Sequence, residues 1–168
     1  MSIAVVKVHP DKIELGADSM LIRGDIANSR DNDAKLKKIE DGFCFASAGL
    51  AMEIEMFFLF CKTRKPSGNE EEDILNFFEE FRAWLNKKTD MAKIGNSFLI
   101  VFKGKAFYFH KYYIKEVTDF EAIGAGRDFA LAALYLEKSV TEAIKVACDL
   151  SIYCEKPINI LVEGRDVQ

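Results

Sequence analysis

The chain has 168 residues, 49% hydrophobic and 30% charged, a composition that supports one globular domain with a sizeable core and argues against disorder. Its formal charge of −4 argues against the broad phosphate neutralisation that nucleic-acid binding requires. No apolar run reaches membrane-spanning length, the longest being broken by Lys62, Arg64 and Lys65, so neither nucleic acid nor a membrane is expected as a partner.

Residues 2–8 and 13–17 are apolar and partly β-branched, and the HPDK between them carries turn formers, which predicts a hairpin. The polar stretch 20–34 has no clear period and reads as a loop. Residues 35–39 and 43–49, joined by the turn at Glu40 to Gly42, form a second predicted hairpin. From Leu50 the period becomes helical, with Met52, Met56, Leu59 and Phe60 predicting a helix to about Arg64. A solvated connector, 66–72, leads to a second helix that Asp73 is placed to cap, with Ile74, Phe77, Phe78, Phe81, Trp84 and Leu85 on one side. SFLIVFKG and KAFYFHKYYI read as two strands around a tight turn near Lys103 to Lys105, and a third extended piece ends at EAIGAG. RDFALAALYLEK is helical. Ser139 and Glu142 fit a capping box opening a fourth helix to about Tyr153; Pro157 stops it, and INILVEG makes a last strand.

Strands, two helices, strands, two helices and a strand are satisfied by two antiparallel sheets stacked face to face, with a helix pair on each outer side. The expectation is an α+β, four-layer αββα sandwich spanning 1–168 as one domain. Runs such as FLIVF, apolar without alternation, fit strands covered on both faces.

The four cysteines, Cys44, Cys61, Cys148 and Cys154, form no CxxC pair, and His9 and His110 are remote from them in sequence, so neither zinc nor any other metal or cofactor is expected. Three sit among apolar neighbours, as reduced cysteines do. The first residues lack the charged head and long apolar middle of a secretory signal. Together these predict a cytoplasmic protein.

Ser2 raises a catalytic question. If Met1 is trimmed, residue 2 carries a hydroxyl and a free amine, and an α-amine titrates close enough to neutrality to serve as a base. Such a site needs a lysine ammonium to hold the amine's pKa down, a carboxylate to keep that lysine charged, and a backbone N–H to face an oxyanion. Lys35, Asp18 and Gly49 are candidates for these roles. Each also has a plainer reading: Asp18 as the end of a strand, Lys35 as one of a solvated basic run with Lys37 and Lys38, Gly49 as a strand-to-helix break.

ELGADSM, AKLKKIEDGFCFASAGLA and EAIGAGRDFALAALYL, in that order, resemble the β subunits of the proteasome and their bacterial relative HslV, members of the N-terminal-nucleophile (Ntn) hydrolases. The resemblance implies the same αββα fold and cleavage of peptide bonds by an N-terminal threonine inside a closed ring of subunits. The substrate would be a peptide or unfolded protein. Such rings are normally fed by an ATP-driven unfoldase, which would be a separate partner because this chain carries no ATPase motif. Asp18 lies sixteen positions after Ser2, and Gly49 fourteen after Lys35; both match the family spacing and place Ser2 where threonine stands. Asp149 corresponds to an aspartate that organises the nucleophile's surroundings. An alternative alignment, through the lysine of VVKV, puts Met1 at the threonine position. Two departures are that serine replaces threonine and that Ala125 stands where active relatives carry a serine near the amine. The second of these keeps open a ring-forming scaffold without turnover.

Overall fold

The structure, a computed structural model, describes residues 2–23, 26–28 and 35–165. In chain order its strands and helices are β1 (Ile3–Val8), β2 (Lys12–Asp18), β3 (Leu21–Arg23), β4 (Ile26–Asn28), β5 (Leu36–Glu40) and β6 (Phe43–Ala48), then α1 (Ala51–Cys61) and α2 (Glu71–Lys88). They continue with β7 (Ser97–Phe102), β8 (Lys105–His110), β9 (Tyr113–Val117), β10 (Phe120–Gly124), α3 (Arg127–Tyr135), α4 (Val140–Leu150) and β11 (Ile158–Gly164). One sheet has the order β10-β1-β2-β11 and the other β5-β6-β7-β8-β9. Every pairing in both is antiparallel.

Three apolar layers hold this arrangement together. Between the sheets lie Ala4, Val6, Leu15, Ala17, Cys44, Ala46, Leu99 and Val101. Alternate residues Ile3 and Val5 point the other way, onto Ala130, Leu134, Ile144 and Ala147 of α3 and α4. The five-stranded sheet turns Phe43, Phe45, Phe98, Phe107 and Phe109 onto Phe57, Phe60, Phe77, Phe78 and Phe81 of α1 and α2. Phe78 stacks on both Phe57 and Phe109, with ring centroids 5.2 and 3.6 Å apart. The expected αββα sandwich is therefore observed, and the non-alternating strands are those with a packed layer on each face. Among the described residues no helix is long and apolar enough to cross a membrane.

Several local expectations are corrected. Part of the predicted loop 20–34 is a short hairpin, β3 with β4; its positions 24–25 and 29–34 lie outside the described residues. Helix α2 begins two residues earlier than Asp73. Glu70 is its N-cap, and Asp73, at the third helical position, accepts from the Glu70 N–H at 3.2 Å. KAFYFHKYYI is not one strand: Lys111 and Tyr112 both have positive φ and turn β8 into β9. Helix α4 ends at Leu150, with Ser151 as C-cap, rather than near Tyr153.

The topology has one consequence for chemistry. In antiparallel sheets, the start of one strand lies beside the end of the next. The starts of β1 and β5 and the ends of β2, β6 and β10 therefore gather at one end of the sandwich.

Candidate active site

That end brings Ser2, Asp18, Lys35 and Gly49 together. Asp18 closes β2, and its carboxylate is buried and fully engaged. Oδ1 accepts the Ile3 N–H at 3.0 Å and the Lys35 ammonium at 2.6 Å. Oδ2 accepts the N–H of Met20 at 3.3 Å and of Glu155 at 3.1 Å. The bond to Met20 is the local turn cap that the plainer reading anticipated; the other three reach across the fold.

Lys35 is only 3% exposed, so it is not a member of a solvated run. Its backbone carbonyl accepts from the Ser47 N–H at 2.9 Å, which fixes the lysine against β6, two residues before Gly49. Burial pushes the Lys35 ammonium below the ordinary lysine range, and Asp18 pulls it back by charge and hydrogen bond. A lysine without Asp18 would give up its proton far more readily in this setting.

Ser2 is buried at the head of β1. Its carbonyl accepts from the Gly126 N–H at 3.2 Å. Gly124, at φ +100°, lies so close to that carbonyl that a Cβ would collide with it. The glycines of IGAG thus let the end of β10 press against residue 2. Ala125, between them, is exposed and supplies only a methyl group.

Gly49 adopts φ +145°, and a Cβ there would run into the Asn96 side chain. The turn is held from both sides by Asn96, which accepts the Leu50 N–H at 2.7 Å and donates to the Leu50 carbonyl at 3.0 Å. Among the described residues, no hydrogen bond engages the Gly49 N–H itself. Sequence reasoning missed Asn96, because its partners lie more than forty positions away and no local motif marks it.

Asp149 is not brought to this cluster. It lies half-exposed on α4 and pairs with Lys156 at 3.1 Å. Its ion pair borders the segment whose Glu155 N–H binds Asp18 and whose Glu155 carbonyl accepts the Ser19 N–H at 3.1 Å. Two cysteines also adjoin the site. Burial raises both thiols, Cys148 to about 12, with the Asp18 charge adding to the effect; both are neutral at pH 7.

No family model matches the chain, and no curated protein matches it. Solved structures do. Thiobacillus denitrificans BPH in complex with epoxomicin superposes with a TM-score of 0.86 at 17% identity, over 98% of this chain and 99% of that one. A second structure of Thiobacillus denitrificans BPH gives 0.84 at 17% identity over the full length of both chains. Eukaryotic HslV from Trypanosoma brucei gives 0.70 at 19% identity, over 97% and 99%. The chain has the fold of HslV. Identities this low speak for architecture, and the HslV-like sandwich accounts for all four layers.

Proposed function

We propose that this chain is an HslV-like peptidase whose nucleophile is Ser2, freed by removal of Met1, working in a homo-oligomeric ring. The observation that carries the reading is the buried Lys35–Asp18 pair, whose shared oxygen also binds the peptide N–H that follows Ser2. A buried ion pair carries a large desolvation cost, and here it sits directly behind residue 2.

In this mechanism the Ser2 amine takes the hydroxyl proton, and Oγ attacks the peptide carbonyl. The oxyanion of the tetrahedral intermediate is met by the Gly49 N–H. The Ser2 ammonium then protonates the departing nitrogen, leaving an ester on Oγ. The amine next takes a proton from water, whose oxygen attacks the ester; the ammonium returns that proton to Oγ as the C–Oγ bond breaks, which releases the second product as an acid and restores the Ser2 hydroxyl and amine. Lys35 keeps its charge because of Asp18 and holds the amine in its basic form. Asp149 acts at one remove, bracing through Lys156 the segment that binds Asp18. Substrates are peptides or unfolded proteins, delivered by a separate ATP-dependent unfoldase; the setting is cytoplasmic, and no cofactor takes part.

Ala125 favours a second reading, a ring-forming scaffold without turnover, since it offers no hydroxyl to orient the amine. The two are separated by fluorogenic peptide hydrolysis. The peptidase reading predicts turnover by the parent and none by Ser2→Ala, and equal turnover by both would remove Ser2 from the chemistry. The ring is tested separately by light scattering: a 19.0 kDa species alone would exclude it.

A further inference from the structure

Two fully buried polar side chains outside the Ser2 cluster, Asn96 and Glu53, are bonded to each other's elements and to the turn that carries Gly49. Asn96 stands just before β7, and Glu53 is in the first turn of α1. The Glu53 carboxylate accepts the Asn96 N–H at 2.9 Å through one oxygen and the Gly95 N–H at 3.0 Å through the other. The Asn96 carboxamide then spends both its ends on the β6–α1 turn. Oδ1 accepts from Leu50 N–H, and Nδ2 donates to the Leu50 carbonyl and, at 3.4 Å, to Ser47 Oγ. Ser47 in turn donates to the Ser97 carbonyl at 3.0 Å.

From this bracketing of Gly49 by one side chain, we infer that Asn96 is the positioning residue that aims the Gly49 amide at the oxyanion, and that Glu53 fixes Asn96 for that task. The inference rests on the peptidase reading above. Three features distinguish it from ordinary turn closure. First, Asn96 occupies the space that a Cβ on residue 49 would fill, so glycine at 49 and asparagine at 96 require each other. Second, both peptide groups of Leu50, the residue after Gly49, are tied to the Asn96 side chain, while the Gly49 N–H is left without a partner among the described residues. Third, a buried carboxamide and a buried carboxylate are costly beside a phenylalanine core unless every polar atom is paired, and here they are. Misdirecting an oxyanion donor costs part of what deleting it does, and deletion costs about 10²–10³ in kcat.

The test compares Asn96→Ala and Asn96→Asp with the parent in its assembled form. Asp keeps the size and the acceptor for Leu50 N–H but loses the donor to the Leu50 carbonyl. Three readouts are taken: backbone amide exchange at residues 47–50, kcat and KM for a fluorogenic peptide, and inhibition by a peptide aldehyde against that by the matching peptide acid. The aldehyde forms a tetrahedral oxyanion on the nucleophile; the acid does not. The expected result for Asn96→Ala is faster exchange at Gly49 and Leu50 and a fall in kcat of about 10- to 100-fold. KM stays within about twofold and the aldehyde weakens in step with kcat while the acid does not, with Asn96→Asp intermediate. Faster exchange with kcat unchanged would overturn the inference and leave the peptidase reading intact. A parent with no turnover and no aldehyde inhibition would overturn both. If Asn96→Ala does not fold, Asn96→Asp decides by the same criteria.

Discussion

Replacing Lys35 by Met removes one half of a buried ion pair and leaves its length of chain in place. At 2.6 Å, the attraction between the two charges is about 6 kcal/mol at an effective dielectric near 20. Most of it is offset by the desolvation of both groups, and loss of one partner of such a pair costs about 3–5 kcal/mol. Asp18 keeps three backbone N–H donors, from Ile3, Met20 and Glu155, so the lower end, about 3 kcal/mol, is expected. That is a large part of the ~5–15 kcal/mol that stabilises a typical domain. Denaturant unfolding of Lys35→Met and of the parent at pH 7 measures it. The penalty is the orphan negative charge left on Asp18. Lys35→Met/Asp18→Asn, with no orphan charge, should recover part of the loss at pH 7. A cost below about 1 kcal/mol is the behaviour of an exposed pair and would refute the reasoning.

On the peptidase reading, Lys35→Met removes the positive charge that disfavours protonation of the Ser2 amine, so the acid limb of kcat/KM should move to higher pH. Lys35→Arg, which keeps the charge, should leave that limb nearer the parent's, and an unmoved limb in Lys35→Met would count against this role for the buried lysine. Ala125→Ser, at an exposed position, supplies the hydroxyl that the resemblance to active relatives would put near the amine. Peptide turnover should increase by about tenfold or more, and an unchanged rate would favour the scaffold reading. Phe78→Ala removes a ring stacked between Phe57 and Phe109 and should cost about 3–5 kcal/mol in denaturant unfolding, with little effect on KM.

Much of the sandwich was legible because burial on both faces leaves a strong mark. FLIVF and FCFA read as strands with cover on each side, and the Phe77/Phe78/Phe81 spacing gave the face that α2 buries. The misses were local. KAFYFHKYYI carried no glycine or proline to show that Lys111 and Tyr112 turn the chain. The start of α2 was misplaced because either of two nearby acids could cap it, and the pair forms a reciprocal box. At the site, Asp18, Lys35 and Gly49 were singled out by the roles such a site needs and by the family resemblance, and the topology returns all three to one end. The sequence did not show how Asp149 is placed: its helical neighbours are apolar, yet it occupies the exposed face and meets Lys156. Asn96 left no trace in sequence, since its role consists entirely of long-range bonds to Leu50, Ser47 and Glu53.

The central claim is that residue 2 is the reactive N-terminus. Peptide-level mass spectrometry of the purified protein, after treatment with an epoxyketone, addresses it most directly, because that warhead closes a ring on a hydroxyl and a free amine carried by one residue. The account predicts a chain beginning at Ser2 with the adduct on that residue, and none on Ser2→Ala. Retained Met1 with no adduct, or modification at any other residue, would contradict it.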